Sequence, residues 1–186
     1  GEFKKGRMHG NGSYTFGNGN EYHGEWENDI MEGRGIYSVS NGNYYEGVFS
    51  DGKLNGQGNF RSSLGETYVG EWIEGRMHGQ GLYTFANGNS YDGNWINDKR
   101  TGFGIYSFSN GNLYEGLSID GIRNGKGTFL HQNGDIYIGN WVDGNMEGDG
   151  SYSYSNGNKY IGQWKKNKMD GQGIFTYSDG KVYNGA

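Results

Sequence analysis

The sequence predicts an all-β fold, consecutive β-hairpins joined into one antiparallel sheet, and three observations carry that prediction. A 23-residue pattern recurs without insertion along all 186 residues. Each copy contains two turn signals, and between them aromatic residues and glycines alternate along short runs. A fixed period of this size marks a repeat architecture, and period-2 alternation over such short runs marks strands.

Tyrosines open the repeats at Tyr22, Tyr45, Tyr68, Tyr91, Tyr114, Tyr137, Tyr160 and Tyr183. Complete repeats therefore occupy 22–44, 45–67, 68–90, 91–113, 114–136, 137–159 and 160–182, one continuous array over 1–186. Residues 1–21 are a partial repeat at the front and 183–186 another at the back. Beginning and ending in mid-repeat, without an initiating Met, the chain reads as a piece of a longer array.

The first strand of a repeat carries Tyr at position 1, Gly at position 3 and an aromatic at position 5, as in Tyr68, Gly70 and Trp72. Position 5 is Phe3, Trp26, Phe49, Trp72, Trp95, Trp141 and Trp164, with Ser118 the exception. A turn follows near position 8, where Asp29, Gly52, Gly75, Asp98, Gly121, Gly144 and Asn167 tolerate a left-handed backbone. Position 10 is Met or Leu in most repeats but Arg100 and Arg123 in two adjacent ones. The second strand alternates Gly, Gly and an aromatic at positions 12, 14 and 16, as in Gly79, Gly81 and Tyr83. Asn-Gly pairs such as Asn41-Gly42, Asn87-Gly88 and Asn110-Gly111 close the repeat. They predict type I′ turns, which need positive φ at both central residues.

Glycine weakens a strand unless something packs closely over the bare backbone. Rings lying over glycines on adjoining strands are therefore expected. One repeat alone cannot offset the entropy of ordering its backbone, so stability must come from stacking repeat on repeat. At two strands of about 4.8 Å per repeat, the array predicts a rod roughly 70–80 Å long.

Composition narrows the function. A net charge of −5 argues against nucleic acid as a partner. The absence of Cys removes disulfides and thiolate chemistry and fits a reducing compartment. No apolar run is long enough for a membrane-spanning helix.

The pattern Tyr-x-Gly-x-Trp, Gly-x-Gly-x-Tyr, Asn-Gly at 23-residue spacing resembles the MORN (membrane occupation and recognition nexus) repeat over the whole chain. Ser118, Leu64 in a turn, and Ser62 and His131 at position 18 depart from it. The resemblance implies a long, twisted single-layer sheet with a groove, and a non-catalytic scaffold in cytoskeletal or membrane-associated assemblies of the cytoplasm. It also implies self-association as a homodimer and a protein partner held in the groove as a helix or peptide. Two alternatives from other classes are a phospholipid-headgroup tether and the regulatory arm of an enzyme whose catalytic domain lies elsewhere.

No catalytic, cofactor or metal site emerges. The recurring Gly-x-Gly lacks the following helix of a phosphate loop. His9, His23, His78 and His131 are too far apart in sequence for local ligand spacing. Glu25, Glu46, Glu71, Asp92 and Glu115 recur at positions 2 or 4 and read as a solvated face. The tryptophans read first as structural. A single layer cannot cover both of its faces, however, and exposed apolar surface marks interaction sites. Trp72, Trp95, Trp141, Trp164, Tyr91, Tyr137 and Tyr160 are therefore the candidate partner-binding residues. For a dimer contact at the C-terminal end the candidates are Trp164, Met169, Phe175, Tyr177 and Tyr183, and for lipid contacts Lys4, Lys5, Lys165, Lys166 and Lys168. The repeat at 114–136, short of one ring, is expected to be the softest.

Overall fold

A computed structural model describes residues 1–185; Ala186, the end of the last partial repeat, lies outside the described residues. Seventeen antiparallel strands form one open sheet, and no helix occurs among the described residues. The chain falls into two compact blocks, Gly1–Gly88 with Trp95–Asp98, and Asn89–Asn94 with Lys99 onward.

The first block contains β1 (Glu2–Lys4), β2 (Arg7–Thr15), β3 (Glu21–Glu27), β4 (Ile30–Ser38), β5 (Tyr44–Ser50), β6 (Lys53–Arg61), β7 (Thr67–Ile73) and β8 (Arg76–Thr84). Each pairs antiparallel with the next. Strand β9 (Ser90–Ile96) contributes residues to both blocks. The second block continues with β10 (Lys99–Ser107), β11 (Leu113–Ile119), β12 (Ile122–Leu130), β13 (Ile136–Val142), β14 (Asn145–Ser153), β15 (Lys159–Lys165), β16 (Lys168–Thr176) and β17 (Val182–Gly185). These also pair in chain order.

The position-8 turns are left-handed as expected, but they and not the Asn-Gly loops take the type I′ form. At Asn28-Asp29 both residues have positive φ, 51° and 71°, as do Asn97-Asp98 at 49° and 68°. The type I′ signature thus belongs to the position-8 turn. In the Asn-Gly loops only the glycine is left-handed, as at Gly42 (φ 90°). There Val39 N donates to Asn43 O at 2.8 Å, and Gly42 N to Val39 O at 2.8 Å. This is a three-residue loop, a tight turn followed by a left-handed residue, which is the next commonest hairpin closure. Both closures accept Gly and Asn, so the dipeptide alone did not separate them.

The position-12 glycine, read as part of a regular strand, sits instead at an irregularity. The register slips between Gly24 and Trp26, and likewise between Gly139 and Trp141 and between Gly162 and Trp164. The second strand carries two residues more than its partner there, a bulge that favours Gly in the left-handed region. Gly33 (φ 69°) and Gly148 (φ 67°) occupy it.

Position-3 and position-14 glycines face one another across successive strands, as in Gly24↔Gly35, Gly35↔Gly47 and Gly58↔Gly70. Tyrosine rings lie over this glycine row. A methyl group added at Gly35 would collide with the Tyr22 ring, and at Gly150 with the Tyr137 ring. Tyr22, Tyr68 and Tyr137 are fully buried there. Each hydroxyl donates to the position-4 carbonyl of its own repeat, at 3.0–3.1 Å. The indoles lock adjacent repeats: Trp72 Nε1 donates to Gly58 O at 3.0 Å, and Trp95 Nε1 to Gly81 O at 2.9 Å. Ring pairs such as Tyr68–Trp72, 5.2 Å apart at 89°, add edge-to-face attraction.

Candidate interaction surface

The seven aromatics expected to face a partner are core residues. Trp72, Trp95, Trp141 and Trp164 are 4–5% exposed, and Tyr91, Tyr137 and Tyr160 are 0–5% exposed. Their periodicity came from packing. The accessible part of the aromatic face is made by rings at positions 16 and 18, two residues apart, the first near the end of a strand and the second just beyond it. Tyr83–Phe85, Tyr106–Phe108, Tyr152–Tyr154 and Phe175–Tyr177 sit 4.6, 4.6, 4.5 and 4.8 Å apart, centroid to centroid. All are half-buried except Tyr177, which is exposed. The aromatic alternation at 16 and 18 was legible; its place outside the Tyr and Trp layer was not.

Hydrogen bonds hold the loops that flank these rings. Asn43 Oδ1 accepts from Ser63 N at 3.1 Å, and Asn158 Oδ1 from Ser178 N at 2.9 Å, each reaching into the following repeat. Asp135 takes the same place and accepts from Ser155 N at 2.8 Å and from the Tyr152 hydroxyl at 3.1 Å. The backbone bond from Ser155 holds the Asp135 carboxyl below its ordinary value. Burial, then the hydrogen bond to Asp135 and its charge, pushes the Tyr152 phenol up to about 12.

Two carboxylates assigned to a solvated face have structural work. Glu25 Oε1 accepts from Arg34 N at 2.8 Å and Glu71 Oε1 from Gln80 N at 3.0 Å, tying down the backbone beside the bulge. Gln163 does the same for Gln172 N at 2.9 Å. The two histidines His9 and His78 each bury an Nδ1 with no hydrogen-bond partner. Among the described residues no cluster of three or more His, Cys, Asp or Glu could hold a metal ion.

At the C-terminal end, Met169, Phe175, Tyr177 and Tyr183 line a cavity of about 270 Å³. Met169, Tyr177 and Tyr183 are exposed, whereas Trp164 is buried. The five lysines Lys4, Lys5, Lys165, Lys166 and Lys168 are all exposed, in two clusters lying in different blocks.

The most individual feature lies in the second block at Ser118. Positions 5 and 10 face each other across the hairpin, as in Trp26↔Met31, Trp141↔Met146 and Trp164↔Met169. Here the pair is Ser118↔Arg123. Where a ring stands in every other complete repeat there is a cavity of about 330 Å³, lined among others by Tyr91, Tyr106, Tyr114, Arg100 and Arg123. Arg123 lies over the Trp141 ring at 4.2 Å and the Phe129 ring at 5.1 Å, and its Nη2 donates to Gly144 O at 2.9 Å. Arg100 lies over Tyr106 at 5.1 Å and Tyr91 at 5.7 Å. Burial lowers the Arg123 pKa, and burial raises that of Tyr114 to about 12 although the Arg123 charge opposes it. The expected soft point is thus a cavity with cationic walls.

A model of the MORN repeat matches eight consecutive segments, 1–21, 22–44, 45–63, 68–90, 91–113, 114–136, 137–159 and 160–182. Comparison with curated protein sequences gave no match. Among solved structures, the fold is similar to the TCP domain of SAS-4 (dCPAP) from Drosophila melanogaster, solved with a proline-rich motif of Ana2 (dSTIL). The TM-score is 0.53 at 15% identity, covering 95% of this chain and 90% of that one. It is also similar to the TCP10 domain of Danio rerio CPAP, solved with a STIL peptide. There the TM-score is 0.51 at 14% identity, covering 92% of this chain and 81% of that one.

Proposed function

Since the chain belongs to the MORN-repeat family over nearly its whole length, we propose that it is a non-catalytic scaffold that binds peptide segments of partner proteins along its aromatic face. The observation that carries this reading is the row of half-buried ring pairs at positions 16 and 18. Aromatic-lined surfaces are how extended, proline-rich segments are held. The two similar folds solved with peptides support the reading. In the assembled state the scaffold works in cytoplasmic, cytoskeletal or membrane-associated structures.

Peptide-display selection on the immobilised chain tests the proposal. Enriched sequences are expected, and their affinity should fall at least about tenfold in Phe85→Ser or Tyr154→Ser, as expected when a central ring of an interface is removed. No enrichment, or binding indifferent to both rings, refutes it.

Self-association is the second part of the proposal. Met169, Tyr177 and Tyr183 form an exposed apolar end in the second block, and a twofold contact there would be self-complementary. Light scattering at micromolar concentration is expected to show a dimer that Met169→Glu converts to a monomer. A monomeric parent chain overturns this, and an unchanged dimer in the variant removes the contact from this end.

A further inference from the structure

All five tryptophans, Trp26, Trp72, Trp95, Trp141 and Trp164, donate Nε1 to the position-14 glycine carbonyl of the preceding repeat, at 2.9–3.3 Å. By the same spacing the carbonyl facing position 118 is that of Gly104. Ser118 cannot reach it as an indole does. Its hydroxyl hydrogen-bonds the Tyr91 side chain and lies 3.4 Å from Arg100 O and 3.5 Å from Gly102 O, the last two at distances where hydrogen bonds are weak. The Tyr and Arg side chains around it have not closed the space, which remains about 330 Å³.

The walls carry charge that packing does not require. Met at position 10 would cover the neighbouring ring without cost, as Met146 does in packing against the cluster that holds Trp141 and Trp164. Arg123 instead places a half-buried guanidinium there, and no carboxylate lies within ion-pair distance of it among the described residues. A guanidinium does not give up its proton in a protein, and a buried charge is costly unless it is paired. Arg100, one repeat earlier, borders the same cavity and points over Gly121. A missing ring and two adjacent cations are complementary to one chemistry, a ring with an anion beside it.

We propose that the cavity at Ser118 receives an aromatic side chain of a partner peptide, best an indole, whose neighbouring carboxylate pairs with Arg123 and Arg100. This names the partner chemistry for one point of the scaffold proposed above and rests on that reading. The partner supplies the ring that the array lacks, and its N–H takes the acceptor that other repeats use internally. Flanking acidic residues set the specificity, because a planar guanidinium matches a carboxylate in two parallel hydrogen bonds.

The test is NMR titration of the 1–186 chain with acetyl-Asp-Trp-Asp-amide, its Asn-Trp-Asn counterpart and indole-3-propionate. The acidic peptide is expected to shift the Ser118 and Arg123 Nε–H signals saturably, with affinity at least about tenfold above the neutral peptide, the effect of one charge-assisted pair. Arg100→Met with Arg123→Met should remove that tenfold difference. Ser118→Trp should abolish binding and raise the Tm by several degrees, because the slot is then filled from within. No shift at Ser118 up to on the order of 5 mM, equal affinity for the neutral peptide, or undiminished binding by Ser118→Trp overturns the proposal. Indole-3-propionate binding as tightly as the peptide would assign the pocket to a small molecule and overturn the peptide source. The scaffold reading fails separately. Display-selected peptides that still depend on Tyr154, with an inert pocket, refute the pocket alone; a filled pocket with no selected peptides refutes the scaffold alone.

Discussion

Replacing Gly81 with Ala is expected to lower the unfolding free energy by about 3–5 kcal/mol, the cost normally associated with losing a buried aromatic. The reason is a collision. A Cβ at Gly81 would lie far inside contact distance of the Tyr68 hydroxyl and ring. Tyr68 has no room to yield, being fully buried with its hydroxyl donating to Glu71 O at 3.0 Å. Driving the ring out also breaks its edge contacts with Trp72 at 5.2 Å and Trp95 at 5.4 Å. Gly17 is the control, with open space where its Cβ would be, and Gly17→Ala should stay within about 0.5 kcal/mol. Urea denaturation of both variants measures the contrast. A double-mutant cycle identifies the cause, since Gly81→Ala should cost little once Tyr68 is Ala. An additive cycle, or a Gly81→Ala chain within 1 kcal/mol of the parent, defeats the explanation.

That contact shows what was legible beforehand. Tyr at position 1 and Gly at positions 3 and 14 recur together because one packs on the other, and a strict period makes the pairing visible without coordinates. The turns were half legible. Positive-φ residue types flagged both, but the paired positive φ that assigns type I′ to Asn28-Asp29, and the backbone hydrogen bonds that assign a three-residue loop to Asn41-Gly42, depend on strand register. The same holds for Glu25 and Glu71, whose bulge contacts cross a register slip that alternation does not reveal. Ring exposure was misread for another reason. Period reports that Trp72 and Tyr83 lie on one face, and says nothing of the layer in which each sits; Trp72 is buried and Tyr83 half-buried. Ser118, Arg100 and Arg123 stood out as departures, but only the cross-strand pairing Ser118↔Arg123 turns a missing ring into a cavity with cationic walls.

The protein is expected to unfold in alkali between about pH 10 and 12, before its arginines lose their charge. Burial, the first cause in each case, pushes the Tyr22, Tyr114 and Tyr137 phenols up to about 12 from an ordinary value of 10. Burial raises Tyr68 further still, with the Glu71 charge adding to it. A phenol is neutral when protonated, so a raised folded value means that the unfolded chain loses its proton first. Below pH 10 both states hold the proton and the groups contribute their full stability. Between 10 and 12 the unfolded state binds fewer protons, and stability falls as pH rises. These four buried groups give a slope approaching about −5 kcal/mol per pH unit, comparable over two units with the 5–15 kcal/mol typical of a folded domain. Urea unfolding at pH 8, 10 and 11 should therefore show a constant midpoint up to about 10 and a steep loss above it. Tyr137→Phe removes one of these titrating groups and should flatten the slope by about one quarter, whatever it does to stability at neutral pH. A midpoint at pH 11 equal to that at pH 8 would mean that these phenols ionise in place, and that the hydroxyl bonds to Glu25, Leu117 and Asn140 carbonyls do not hold the rings in the sheet.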